Sequence, residues 1–110
     1  MKKLLLCVLL STFFVPLANA QTDKIKHCPS LNQIKINLVQ KPWTHYYSAY
    51  NDEGKYFISK EYTENANNGP ARPVEFLANR SYYDTASKKL NCVYYAYTSA
   101  KNIFPTLVER

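Results

Sequence analysis

Glycine and long apolar runs are both scarce in this sequence. Its 110 residues include two glycines, Gly54 and Gly69, and each stands alone in a segment rich in turn residues. Neither can form the glycine-rich loop that binds phosphate groups. Beyond residue 20 there is no apolar run long enough to span a bilayer, so no transmembrane segment is expected in that part of the chain.

Residues arranged for catalysis are also lacking. Catalysis needs a nucleophile, acid or base that helper groups hold in position. The carboxylates fall mostly in predicted loops or at outward strand positions, without recognisable pairing: Asp52, Glu53, Glu61, Glu64, Glu75 and Asp84. His45 is the best single candidate for a catalytic base, but a histidine in an aromatic strand is more often structural. We therefore expect no catalytic residue, no cofactor and no enzymatic activity.

The first 20 residues have the three parts of a secretory signal peptide. Two lysines form a positive start, residues 4–15 are largely apolar, and residues 18–20 have the small-x-small cleavage pattern. We expect cleavage after Ala20, which leaves a single exported domain at residues 21–110. The signal peptide looks bacterial, so the product would be periplasmic or secreted.

The exported part is mildly basic. Cleavage would remove Lys2 and Lys3, so that 12 basic and 8 acidic residues remain, with a net charge of +4. The remaining lysines are scattered along the chain, which favours a solubilising surface. Affinity for an anionic glycan or for lipid headgroups is the alternative. Nucleic acid is not an expected partner, because no binding motif is present and the signal peptide directs the chain out of the cytoplasm.

Two of the three cysteines, Cys28 and Cys92, lie in the exported part. In a small exported chain an even number of cysteines predicts a disulfide framework. A zinc site built from these cysteines with His27 and His45 would lack the close paired spacing of structural zinc sites. A catalytic thiolate would lack an orienting third group. We expect one structural disulfide, Cys28–Cys92, and no metal.

Alternating apolar residues predict an antiparallel β domain. The clearest signal surrounds Cys92, where Leu90, Cys92 and Tyr94 would share one strand face. The turn-rich segment at residues 51–55 indicates a hairpin between the second and third strands. We expect a mainly β fold: a small antiparallel meander of five or six strands, as a curled sheet, a sandwich or a partly open barrel, with a short N-terminal helical turn at residues 30–33. The predicted strands are residues 34–39, 43–50, 56–62, 74–83, 90–98 and 103–108.

Two of these strands and one loop have special features. The apolar residues of the strand at 74–83 change face near Ala78 or Asn79, which indicates a β-bulge. Pro105 limits the last strand to an edge or to pairing on one side. Residues 63–73 have no apolar period and many turn residues, so they form either a plain connection or a binding loop in which Arg72 contacts an anion.

Tyrosine is abundant, and all ten tyrosines lie in the exported part. Neighbours on a strand face opposite sides, so one ring of each adjacent pair would point outward. Tyrosine is favoured at protein interfaces, whereas ordinary cross-strand packing is the alternative role. The adjacent pairs are Tyr46-Tyr47, Tyr82-Tyr83 and Tyr94-Tyr95. The candidate binding residues are Trp43, Tyr47, Tyr83, Tyr95 and Arg72.

Several short motifs follow one another along the exported part. They are Cys28-Pro29 followed by Ile34, Trp43 and Tyr50, Phe76 and Ala78, and Leu90-Asn91-Cys92-Val93-Tyr94. This order resembles a family of small exported proteins of gamma-proteobacteria that has no assigned function. The family pattern is Cys-Pro near the mature N-terminus and Cys-x-Tyr near the C-terminus. The resemblance implies a compact exported β domain with a disulfide, and it supplies no catalytic residue.

These features together favour a binding function. We expect an exported, non-enzymatic module that contacts another protein through an aromatic sheet face, the 63–73 loop, or both, for instance as an inhibitor of a hydrolase. The alternative is an envelope polyanion or glycan binder that uses the scattered lysines and exposed tyrosines. Salt distinguishes the two, because lysine contacts weaken as ionic strength rises while buried aromatic contacts hold.

Overall fold

The computed structural model describes residues 23–63, 69–98 and 101–110. The predicted signal peptide, its cleavage position and residues 64–68 of the predicted loop lie outside the described residues. A 3-10 turn at Leu31–Gln33 precedes the sheet. The strands are β1 (Ile34–Leu38), β2 (Thr44–Tyr50), β3 (Tyr56–Thr63), β4 (Pro73–Phe76), β5 (Tyr82–Asp84), β6 (Lys89–Tyr97), β7 (Asn102–Ile103) and β8 (Thr106–Glu109).

The strands form an open antiparallel sheet with the order β1-β2-β3-β8-β6-β4. β4 and β5 pair with one edge of β6, and β7 and β8 pair with its opposite edge. The predicted mainly β antiparallel fold is therefore confirmed. β8, the last strand of the chain, lies between β3 and β6, so the sheet departs from a simple meander at that point.

The predicted strand at residues 74–83 is divided into β4 and β5. The predicted β-bulge near Ala78 or Asn79 is wrong, because a turn at residues 78–80 separates the two strands there, and the shift in register lies instead between Pro73 and Glu75. The Ser81 hydroxyl accepts the backbone N–H of Val93 at 2.9 Å and donates to the carbonyl of Leu77 at 2.9 Å. These bonds keep both halves on β6 despite the interruption.

The predicted strand at residues 103–108 is likewise divided, into β7 and β8. Pro105 lies in the break, and its carbonyl accepts the backbone N–H of Tyr94 at 2.9 Å. The expectation of an edge or one-sided strand is wrong for β8, which pairs with β3 on one side and β6 on the other. β8 escapes the limit because proline precedes it and removes none of its own N–H groups.

β2 and β3 form the predicted hairpin, in which Tyr50 lies opposite Tyr56. The side-chain oxygen of Asn51 accepts the backbone N–H groups of Glu53 and Lys55 at 3.0 and 2.9 Å. Gly54 adopts φ +78°, a backbone conformation that glycine tolerates best. Turn chemistry readable in the sequence therefore sets this pairing.

The core lies on one face of the sheet and draws on every long strand. In β6 the three residues predicted to share a face, Leu90, Cys92 and Tyr94, all belong to the core cluster, while Asn91 and Val93 between them are buried as well. Further apolar side chains from the N-terminal segment, including Ile25 and Leu31, pack against this cluster. Its buried members are Ile34, Tyr47, Ala49, Phe57, Leu90, Cys92, Tyr94 and Leu107.

A disulfide holds the N-terminal segment against this core. The sulfur atoms of Cys28 and Cys92 are 2.01 Å apart and close a sequence separation of 64, which confirms the predicted bridge. Beside it, the buried Tyr94 hydroxyl donates to the carbonyl of Pro29. The predicted turn at residues 30–33 is also present, and the Gln33 side-chain oxygen accepts the backbone N–H of Ser30 at 2.8 Å. Within the described ranges, no helix has the length and apolar character that a bilayer crossing requires.

Candidate functional site

The tyrosine pairs follow the expected rule, but the outward member is not always the one predicted. Tyr47 is 0% exposed, so its prediction as a surface binding residue is wrong. The physical reason is register: Tyr47 lies opposite Ile36, and both face the core. Tyr82 is 51% exposed, and its neighbour Tyr83 packs against the core.

The remaining predicted residues lie on different surfaces. Tyr83 is half-buried, with the ammonium nitrogen of Lys24 3.5 Å from its ring centroid. The Tyr95 hydroxyl donates to the side-chain oxygen of Asn102 at 2.7 Å. Arg72 is exposed at the end of the predicted loop. Only Trp43 lines a predominantly apolar pocket among the five candidates, so the structure does not gather them into one site within the described residues.

A concave pocket, called the Trp43 pocket below, lies beside Trp43. It has a volume of about 310 Å³ and is mostly apolar. Leu38 and Trp43 are 77% and 57% exposed, which is unusual for two large apolar side chains side by side. The pocket is lined by Leu38, Val39, Lys41, Trp43, Thr44, His45, Gly69 and Pro70.

A tight turn positions the tryptophan. The backbone N–H of Thr44 donates to the carbonyl of Lys41 at 3.3 Å, which closes a four-residue turn with Pro42 and Trp43 at its centre. Trp43 has φ +59°, at the position where a type II turn favours glycine or asparagine. The prediction of Trp43 as the first residue of the second strand is therefore wrong, because Pro42 starts a turn that delays β2 by one residue.

The conformation of Trp43 is strained. A left-handed backbone costs a residue with a side chain on the order of 1–2 kcal/mol, because Cβ approaches the carbonyl oxygen. Strain of this kind is concentrated at functional sites, where it holds a side chain in a particular place. Here it holds an indole at the pocket rim.

The floor of the pocket is buried and polar beneath its apolar wall. His45 is 1% exposed, and its Nε2 atom lies 3.1 Å from the hydroxyl of Tyr47. That hydroxyl donates to the carbonyl of Ala71, which links β2 to the segment that carries Gly69. The His45 ring also stacks on Tyr62, with ring centroids 6.0 Å apart. His45 thus has a structural role in the floor.

The charged groups at the rim and on the adjoining strand are mainly basic. Lys41 lines the pocket, and its ammonium nitrogen lies 3.5 Å from a carboxylate oxygen of Glu61. Both side chains are largely exposed, so solvent screens this pair and it adds little stability. Lys35 is exposed on β1. An approaching ligand therefore meets an apolar cavity with lysine beside it.

A second pocket of about 340 Å³ is much more polar. It includes Tyr83 and Lys24, but its charges largely compensate one another. Lys55 lies 3.6 Å from a carboxylate oxygen of Glu109, and a neighbouring histidine contacts a second glutamate. In the part of the chain that the structure describes, no group of three or more histidine, cysteine or acidic side chains is placed to hold a metal ion.

Comparison with protein-family models, with curated proteins and with solved structures finds no match for this chain. The resemblance to a family of exported gamma-proteobacterial proteins therefore stays a prediction.

Sequence reasoning missed Leu38 as a surface residue and the turn that carries Trp43. The Pro42-Trp43 dipeptide was a usable signal, because proline favours the second position of such a turn. The alternation of residues 34–38 places Leu38 on the same face as the buried Ile34. Only the tertiary structure shows that this end of the face is open.

Proposed function

We propose that the protein is an exported, non-enzymatic binding module that contacts another protein through the Trp43 pocket. One observation carries the proposal: a strained, exposed tryptophan and an exposed leucine border an apolar cavity. Burying both on a partner would remove a large apolar area from water, at about 25 cal/mol per Å². Tryptophan is also among the residues that most often dominate the binding energy of interfaces.

The size of the pocket suits a single side chain. Pockets for small organic ligands have volumes of about 300–1,000 Å³, so this one is at the lower limit. The His45 floor is already packed, and its polar atoms lie within a hydrogen-bond network. A large apolar side chain of a partner protein fits these properties. An inhibitor whose Trp43 pocket receives a side chain from beside the cleft of a hydrolase would be one instance.

Export is part of the same proposal. A structural disulfide is typical of oxidising compartments, and the predicted signal peptide directs the chain to one. Periplasmic and secreted locations both agree with this chemistry.

A separate aromatic surface favours a second candidate function, glycan binding at the envelope. Tyr97 and Phe104 are 63% and 41% exposed, and the guanidinium carbon of Arg80 lies 4.4 Å from the Phe104 ring centroid. Exposed rings beside guanidinium and amide groups can stack on a sugar and bond its hydroxyls. This surface includes Tyr95, whose ring lies 5.9 Å from that of Phe104.

Capture with matched variants tests the proposal. The oxidised protein, residues 21–110, is used as bait in envelope and culture extracts, beside Trp43→Asn and Tyr97→Ser baits, and washed at low and then high salt. We expect a protein that survives high salt on the wild type and on Tyr97→Ser but is absent from Trp43→Asn. Capture of glycan alone, or loss of all material only on Tyr97→Ser, would contradict the Trp43 site and favour the second candidate.

A further inference from the structure

Among the described residues, β1 pairs with β2 alone and so forms an open edge of the sheet. The backbone N–H of Val39 donates to the carbonyl of Thr44 at 3.1 Å, which fixes the direction of the backbone groups. The backbone N–H and carbonyl groups of successive residues in an antiparallel strand point alternately to its two sides, so those of Asn37 also point toward β2. Ile36 and Leu38 therefore turn their N–H and carbonyl groups toward the open edge.

The open edge continues directly into the Trp43 pocket, because Leu38 belongs to both. Residues that lie opposite one another on adjacent strands project on the same face of a sheet. Leu38 lies opposite His45, and both line the pocket. A residue placed opposite Leu38 on an added strand would project toward the same pocket.

We propose that β1 receives an extended peptide segment of the partner protein, which pairs with Ile36 and Leu38 as an additional strand and places an apolar side chain in the Trp43 pocket. This inference rests on the proposed function and specifies its mode of recognition. Strand addition combines main-chain hydrogen bonds, which supply affinity, with alternate side-chain pockets, which supply specificity.

Charge identifies the chemistry of that segment. The charged side chains of β1 and of the pocket lining are two exposed lysines, Lys35 and Lys41, and Glu61 lies 3.5 Å from Lys41, so these three groups together have a net charge of +1. An acidic peptide would be attracted to them, with aspartate or glutamate close to its apolar anchor. A second copy of this chain is a poorer occupant, because its own β1 carries the same lysine.

Two variants of one residue separate the main chain from the side chain. Leu38→Ala removes the side chain from the pocket and keeps the N–H group. Leu38→Pro also removes the N–H that faces the open edge, a substitution that edge strands tolerate. Both should retain the fold, because Leu38 is 77% exposed. We expect Leu38→Pro to weaken peptide binding about tenfold more than Leu38→Ala does.

The probe is a phage library of random short peptides selected on the oxidised wild-type protein, with enriched peptides then synthesised. We expect acidic peptides with one large apolar residue, and slower hydrogen exchange at the amides of Ile36 and Leu38 when they bind. Replacing the acidic residues of a peptide with lysine should weaken binding, and added salt should reduce the difference.

Three results would overturn the inference. Peptides that bind Leu38→Pro and Leu38→Ala equally and leave both amides unprotected would occupy the pocket without adding a strand, so the proposed function would survive alone. Failure to enrich any peptide that requires the edge would also contradict it. Sedimentation of the free protein as a dimer, with those amides already protected, would assign the edge to a second copy.

Discussion

The two ends of β1 show how the same strand pattern has different consequences. Ile34 and Leu38 lie on one face of β1, opposite Ala49 and His45 of β2. Ile34 is 4% exposed, whereas Leu38 is 77% exposed. Ile34, at the closed end, belongs to the core cluster against which the N-terminal segment packs, a segment that Cys28 fixes to β6, whereas Leu38, at the open end, borders the Trp43 pocket. Alternation therefore chooses a face, and a covering segment decides whether that face becomes core.

The disulfide gives the largest expected effect. We expect the double variant Cys28→Ser, Cys92→Ser to lose about 4 kcal/mol of unfolding free energy, because the bridge closes a long loop in the unfolded chain and holds the covering segment. Urea denaturation of the variant and of the oxidised wild type measures the difference. A loss below about 1 kcal/mol would mean that the segment covers the core without its covalent link.

The two ends of β1 can be compared by one substitution at each. Ile34→Ala should cost about 2–4 kcal/mol, because it leaves a cavity in the closed end. Leu38→Ala should change the unfolding free energy by less than about 0.5 kcal/mol, because its side chain is already exposed. Equal losses in chemical denaturation would show that the open end is packed in solution.

The buried hydrogen bond from the Tyr94 hydroxyl to the carbonyl of Pro29 should help to hold the N-terminal segment against the core. Tyr94→Phe leaves the carbonyl of Pro29 without this donor in a buried setting, at a cost of about 1–2 kcal/mol. Tyr95→Phe is the matched control on the same strand, because its bond to Asn102 is exposed and should be worth little. Thermal unfolding of both variants should lower the Tm only for Tyr94→Phe.

Alkaline pH should also lower the unfolding free energy through the Tyr94 hydroxyl. Burial raises the pKa of the Tyr94 hydroxyl above its ordinary value, so the unfolded chain loses this proton at a lower pH than the folded chain does. The contribution of Tyr94 to the unfolding free energy is therefore complete below pH about 10. Above that pH it declines by about 1 kcal/mol per pH unit. Tyr94→Phe should have a flatter decline between about pH 9 and pH 11 than the wild type has. If the unfolding free energy of both proteins declines with pH at the same rate, Tyr94 does not cause the loss of stability at alkaline pH.

Local patterns predicted the parts of the fold that depend on neighbours in sequence. Turn residues at Asn51 and Gly54 predicted the β2–β3 hairpin, and the alternation around Cys92 predicted which residues of β6 join the core cluster. The position of β8 between β3 and β6 depends on pairing between distant strands, which no local pattern encodes. Which member of each tyrosine pair faces the core was equally inaccessible, since alternation fixes only that the two differ.

The sequence predicted that aromatic residues would form the candidate site, but it did not predict which of them lie at the surface together. Trp43 was expected to bind, and it lines the pocket; Tyr47 was expected at the surface, and it lies in the core. The pocket itself arises where β1, the turn after it and the segment at Gly69 meet, a juxtaposition of distant residues.

Trp43→Asn tests the central claim most directly, because asparagine tolerates the left-handed backbone of this turn. Relief of strain and loss of indole contacts oppose each other, so the unfolding free energy should change by less than about 1 kcal/mol. The decisive measurement is the affinity of the captured partner for Trp43→Asn and for the wild type, with the Tm of each protein recorded beside it. The account predicts an unchanged Tm and an affinity lower by about a hundredfold. An unchanged affinity at unchanged Tm would contradict it, because the open end would then be exposed without being used.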